Sequence, residues 1–115
     1  MPIIDQIVGR RFVVVDNHQG LSGAETIFEY RRCGDFITGE YAGGLIRSGQ
    51  IIGYAVAPDR LVLAFQCLTV FGELRSGRSR GRVNRKDDGR LQIDFDWAWM
   101  ETDVLSEHSR HEEIA

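Results

Sequence analysis

Apolar and polar residues alternate with a period of two over much of this chain, the pattern of strands that bury one face. The clearest run has Leu91, Ile93, Phe95, Trp97 and Trp99 alternating with Gln92, Asp94, Asp96, Ala98 and Met100. Thr26, Phe28 and Tyr30 alternate in the same way with Glu25, Ile27, Glu29 and Arg31. Turn-forming clusters separate the runs: Asn17-His18-Gln19-Gly20, Cys33-Gly34-Asp35, Gly43-Gly44, Arg47-Ser48-Gly49, Pro58-Asp59 and Asp87-Asp88-Gly89. Between these breaks about eight strands are expected, near 11–16, 24–32, 35–42, 44–48, 50–57, 60–68, 73–86 and 90–101. Such spacing leaves no room for crossover helices. The expected fold is therefore all-β, an antiparallel up-and-down meander that closes into a small barrel and so removes both sheet edges. Residues 1–100 are expected to form this single barrel domain. Residues 101–115 read as an acidic C-terminal tail, disordered or carrying a short helix capped by Ser106.

Two hairpins can be read to the level of register. In Lys86-Asp87-Asp88-Gly89-Arg90, Gly89 suits the left-handed position of a three-residue loop, which pairs Lys86 with Arg90. Val83 then lies opposite Ile93, Gly81 opposite Phe95, Ser79 opposite Trp97 and Gly77 opposite Trp99, so each ring meets a small residue. The reverse face pairs Arg82 with Asp94 and Arg80 with Asp96 as an ion ladder. The Pro58-Asp59 turn pairs Val56 with Leu61, Tyr54 with Leu63 and Ile52 with Phe65, facing the lumen. Its other face, with Ile51, Gly53, Ala55, Val62, Ala64 and Leu68, is also apolar and calls for cover, so a homodimer through the 50–68 hairpin is expected.

Composition narrows the function classes. The 115 residues are 43% hydrophobic and 27% charged, as in an ordinary soluble domain. Fourteen basic and seventeen acidic residues give a net charge of −3, which favours neither nucleic acid nor an anionic membrane as partner. No apolar run approaches the roughly 20 residues of a membrane-spanning helix. Met1 to Arg11 lacks the order of a signal peptide, and a cytoplasmic location is expected. Cys33 and Cys67 are isolated, without CxxC spacing, and are expected to stay thiols.

Several constellations look chemical but have a plainer reading. Arg75 to Arg90 holds seven of the fourteen Lys and Arg residues, yet Asp94 and Asp96 stand in register to neutralise the strand. His108 and His111 have metal-pair spacing but fall in the expected tail with no third ligand, and no histidine falls on an expected core strand. Gln50-Ile51-Ile52-Gly53-Tyr54-Ala55 matches the pyrophosphate string of acetyltransferases, which works only where it opens a helix. Here it runs on as strand. No cofactor or metal is called for. What remains is the lumen, with Thr26, Phe28, Tyr30, Tyr54, Phe65, Ser79, Trp97 and Trp99. Tyr30, Tyr54, Trp97 and Trp99 with Ser79 as polar anchor would hold a small apolar or aromatic ligand without catalysis, whereas a barrel filled by its own side chains would be a structural module.

The ordered set Ser22-x-x-Glu25-Thr26-x-Phe28-x-Tyr30, Tyr41-x-Gly43-Gly44-x-Ile46-x-x-Gly49-x-Ile51-Ile52-Gly53, Gly72-Glu73-Leu74-x-Ser76-Gly77, Asp88-Gly89-Arg90 and Trp97-x-Trp99 resembles a family of small bacterial proteins. That family is often labelled N-acetylglutamate synthase, a label that implies acetyl transfer from acetyl-CoA to glutamate. In chain pattern the sequence also resembles lipocalin- and avidin-like β-barrels, which implies a small ligand held in the lumen. No catalytic residue carries over from either resemblance.

Overall fold

The computed structural model describes residues 3–17, 21–100 and 104–114. After a 3-10 turn at Ile3–Gln6 come eight strands: β1 (Arg11–Asn17), β2 (Ile27–Cys33), β3 (Phe36–Gly43), β4 (Ile46–Ala57), β5 (Arg60–Thr69), β6 (Leu74–Arg85), β7 (Leu91–Trp99) and β8 (Glu107–Ile114). Each pairs antiparallel with the next, and β8 returns to β1, so the sheet closes into a barrel as the alternation predicts.

Two strand assignments change. The expected strands 44–48 and 50–57 are one continuous strand, β4, because Arg47-Ser48-Gly49 forms no turn; the register shifts between Ile46 and Ser48 instead. The eighth strand comes from the segment read as a tail. Glu107–Ile114 pairs on one side with β7 and on the other with β1, and Ser106 precedes a strand rather than a helix. Its polar residues gave no apolar rhythm to read, and pairing with both neighbours orders it.

The β6–β7 hairpin forms as predicted. Lys86 N donates to Arg90 O at 2.8 Å, Gly89 has φ +88°, and Val83–Ile93, Gly81–Phe95, Ser79–Trp97 and Gly77–Trp99 are paired. A Cβ at Gly81 would come within 2.6 Å of the Phe95 ring, and one at Gly77 within 2.4 Å of Phe65, so both rings need bare backbone beside them. The reverse-face register also holds, but the carboxylates choose other partners. Arg110 Nε donates to Asp94 at 2.7 Å and His108 Nδ1 lies 2.6 Å from Asp96, both across the β7–β8 pairing.

The β4–β5 hairpin differs by one residue. A bulge between Ala55 and Ala57 pairs Ala55 with Leu61, Gly53 with Leu63 and Ile51 with Phe65. One inserted residue flips every side chain before it on β4. Ile51 and Gly53 are thus buried inside, while Ile52, Tyr54 and Val56 stand outside.

One end of the barrel is plugged. The Ile3–Gln6 turn lies across it, with Ile4 N donating to Pro58 O at 3.2 Å and Gly9 N to Tyr30 O at 3.0 Å. Ile4 and Ile7 are buried there against Phe12, Leu61, Val83, Leu91 and Ile93. Arg32–Asp5, Arg85–Gln6 and Arg10–Glu113 contacts tie the segment to the strands around it. Among the described residues no helix is long and apolar enough to cross a membrane.

Candidate functional site

The alternation that drives the strands also builds the lumen. From the plugged end toward the other, β7 directs Leu91, Ile93, Phe95, Trp97 and Trp99 inward, and β8 directs His111 and Ser109. The plugged half is closely packed. In the other half, toward the mouth where half-buried Asn17, Leu21, Ser22 and Trp99 stand, lies a cavity of about 70 Å³. At roughly 10–15 Å³ for each water centre, it has room for a handful of waters or a small organic group.

Its walls are aromatic. Phe28 stacks on Tyr41 with centroids 4.8 Å apart and planes 10° from parallel. Phe65 meets Trp97 and Trp99 edge-on at 6.1 and 5.8 Å, and the two tryptophans meet each other at 5.0 Å. Ile46, Ile51, Leu63, Phe95 and Cys67 complete the apolar lining.

Set into these walls are polar groups that the barrel does not satisfy. Among the described residues the Tyr30 hydroxyl, His111 Nδ1 and Asn17 Oδ1 are buried without a hydrogen-bond partner, and all three residues line this cavity. An unpaired buried polar atom costs about 1–3 kcal/mol, so three around one cavity set a site apart from ordinary core. Ser79 and Ser109 also line it, and Ser109 Oγ lies 3.5 Å from His111 Nε2. Tyr41 is occupied, its hydroxyl donating to Gln66 O at 3.2 Å.

Every described lining residue is uncharged near neutral pH. Burial alone lowers the His111 pKa to about 3, so its imidazole, wedged between Phe28 and Phe95 at 4.4 and 4.8 Å, is neutral. Burial pushes Tyr30 and Tyr41 above the usual phenol range and raises the Cys67 thiol. Among the described residues the lining contains no Asp, Glu, Lys or Arg.

Of the residues the sequence pointed to, Tyr30, Ser79, Trp97 and Trp99 come together around this cavity, as do Phe28 and Phe65. Tyr54 does not. It is 53% exposed on the outer face, turned there by the β4 bulge. Thr26 is buried but its hydroxyl is used locally, accepting from Gly23 N at 3.1 Å and donating to Gly43 O at 3.0 Å. Sequence reasoning missed His111, Ser109, Tyr41 and Asn17. His111 was placed in a tail and not in the lumen because β8 is polar on both faces; its sequence signal was charge, since Arg110 and His108 match Asp94 and Asp96 at the same two-residue spacing. Gln50 to Ala55 lies within β4, its backbone paired with β3 and β5, so it opens no helix for a pyrophosphate. Among the described residues no cluster of His, Cys, Asp and Glu could hold a metal ion.

An eight-stranded up-and-down barrel with a lumen wide enough for side chains and one small ligand is the architecture shared by lipocalins and avidins. The chain belongs to the avidin-like protein family, whose model matches residues 6–114. No curated protein and no solved structure matches it.

Proposed function

We propose that this protein binds a compact, partly apolar small molecule in its lumen and does no chemistry on it. The observation that carries this reading is the pair of buried, unpartnered polar atoms, Tyr30 Oη and His111 Nδ1, at one aromatic cavity. Avidin-like proteins bind small ligands such as biotin and are often oligomeric, which supports the reading at the level of family. The part of the ligand inside the lumen is uncharged, because an ionised group there would lose its water and meet no counter-charge. It offers hydrogen-bond donors and acceptors to Tyr30, His111, Asn17 and Ser79, and a flat or apolar body to Trp97 and Trp99. The exposed Cys33 thiol suits a cytoplasmic location.

The test is native mass spectrometry with tryptophan fluorescence across a metabolite panel that includes biotin, acetyl-CoA and glutamate. A co-purifying or added ligand should quench Trp97 and Trp99, and Trp97→Ala should abolish its binding while the far-UV spectrum stays β-like. Unchanged affinity in Trp97→Ala would sink the site. Acetyl-CoA bound with product formed from glutamate would replace this reading with the acyltransferase one.

A second reading concerns assembly. On the outer face Phe36, Ile52, Tyr54 and Val56 are exposed beside half-buried Val62 and Ala64, a contiguous apolar surface on β3 to β5. We propose that a second copy of the chain covers it. Val62→Asp should lower the mass seen by size exclusion with light scattering; the same mass before and after would remove this face as the contact.

A further inference from the structure

Two turns at the mouth hold large apolar side chains out to solvent. The β4–β5 turn lies at the plugged end, where Pro58 O accepts from Ile4 N, so Ile46 and Thr69 stand at the far end of the same two strands. There the β3–β4 turn carries Leu45, and the β5–β6 turn carries Val70 and Phe71 and leads into Leu74; they are 42%, 47%, 71% and 82% exposed. Hairpin tips are ordinarily built from Gly, Pro, Asn, Asp and Ser. Every amide of residues 70–73 is bonded. Val70 N donates to Leu45 O at 3.0 Å, Gly72 N to Thr69 O at 3.0 Å, and Phe71 N and Glu73 N to the buried Thr69 hydroxyl at 3.3 and 3.2 Å. Gly72, at φ +83°, closes the turn. The two tips are thus one stiff unit that keeps Phe71 and Leu74 away from the barrel's own core.

Size and charge decide what covers them. Four side chains on protruding turns are far fewer than the roughly 20–30 residues a side of a specific protein interface. A bilayer needs no matching pocket and takes apolar side chains one at a time. In residues 43–47 and 69–75, Arg47 and Arg75 outnumber Glu73, so the tips do not share the net negative charge of the whole chain. Arg47, exposed two residues behind Leu45, suits the headgroup phosphates once the tips insert. We propose that the β3–β4 and β5–β6 tips insert into the interfacial layer of a lipid bilayer and seat the barrel with its mouth on the membrane. None of the four side chains lines the cavity, so this docking is independent of the lumen reading. A second copy of the chain is the competing occupant.

Co-sedimentation of the whole chain with phosphatidylcholine vesicles tests this. The unaltered protein should sediment with them. Phe71→Ser combined with Leu74→Ser should lower the partition coefficient about tenfold or more, while the far-UV spectrum stays β-like because both side chains are already exposed. Phe71→Trp should gain an emission component that acyl-brominated phosphatidylcholine quenches, beyond any quenching of Trp97 and Trp99. That measurement decides the matter even if the double variant fails to fold. Absence of the unaltered protein from the vesicle pellet, equal partition of the double variant, or no added quenching in Phe71→Trp overturns the proposal. So does a fall in native mass of the double variant without lipid, which would give the tips to a second copy.

Discussion

The two halves of the barrel use the same strands for opposite ends. In the plugged half, Ile4, Ile7, Phe12, Leu61, Val83, Leu91 and Ile93 are all buried and apolar, and the segment that covers them is tied down by backbone and side-chain contacts. In the mouth half the same inward positions carry Asn17, Ser79, Ser109 and His111 among rings, and polar atoms go unpaired. Close-packed aliphatic contacts stabilise a fold; unpaired polar atoms destabilise it unless something outside the chain satisfies them. The plugged half therefore carries the stability that lets the mouth half remain unsatisfied, a division common where a site departs from local folding rules.

The largest effect that would test this division is on stability. Ile93→Ala removes a side chain with no exposed surface from the packed half and should cost about 2–5 kcal/mol. Ser79→Ala, on the neighbouring strand in the mouth half, should cost under about 1 kcal/mol and act mainly on ligand affinity. Denaturant unfolding of both variants measures the contrast. Equal losses would mean that the lumen is one uniform core.

His111, whose backbone pairs with Ile93 of the plugged half, gives the comparison a pH dependence. In the unfolded chain it takes a proton below its ordinary value of 6.5, but in the folded barrel not until about pH 3. Between these values the unfolded state binds more protons, so stability falls as pH falls, by roughly 1.4 kcal/mol for each pH unit from this group. Above pH 6.5 the contribution is fully present. Unfolding midpoints measured from pH 7.5 to 4.5 should show this slope, and His111→Gln should flatten it. A slope unchanged in His111→Gln would place the effect on carboxylates, such as Glu113, where burial raises the pKa but bonds to Leu91 N and Arg10 outweigh it and lower it.

What could be read from the sequence divides along similar lines. β7 was legible to the residue because Leu91 to Trp99 alternate without a break and Gly89 sets the turn, so Ser79, Trp97 and Trp99 were found as lumen residues. Tyr54 was misplaced although its strand was found, because the bulge at Ala55–Ala57 leaves no mark in a pattern where both faces are apolar. β8 was missed altogether. Its inward residues, Ser109 and His111, line the cavity and are polar, so the strand carries no hydrophobic signal that would have revealed it.

β8 also supplies the smallest expected effect. Its docking against β7 is written in the outer ladder, Arg110 with Asp94 and His108 with Asp96, all four exposed or half-exposed. Exposed pairs contribute little free energy, so Arg110→Ala should lower stability by less than about 1 kcal/mol, and less still in high salt. Specificity is another matter. A strand polar on both faces has no apolar face to fix its register, and a slip by one residue would turn His111 out of the lumen. The ladder opposes that slip, since it would set Arg110 and His108 against the wrong positions of β7. The double variant Arg110→Asp with Asp94→Arg should therefore keep the His111 ring signals shifted by Phe28 and Phe95, whereas Arg110→Asp alone sets like charges opposite each other and should broaden them. Sharp, unmoved His111 signals in the single variant would show that the closure of the barrel, and not the ladder, holds β8 in register.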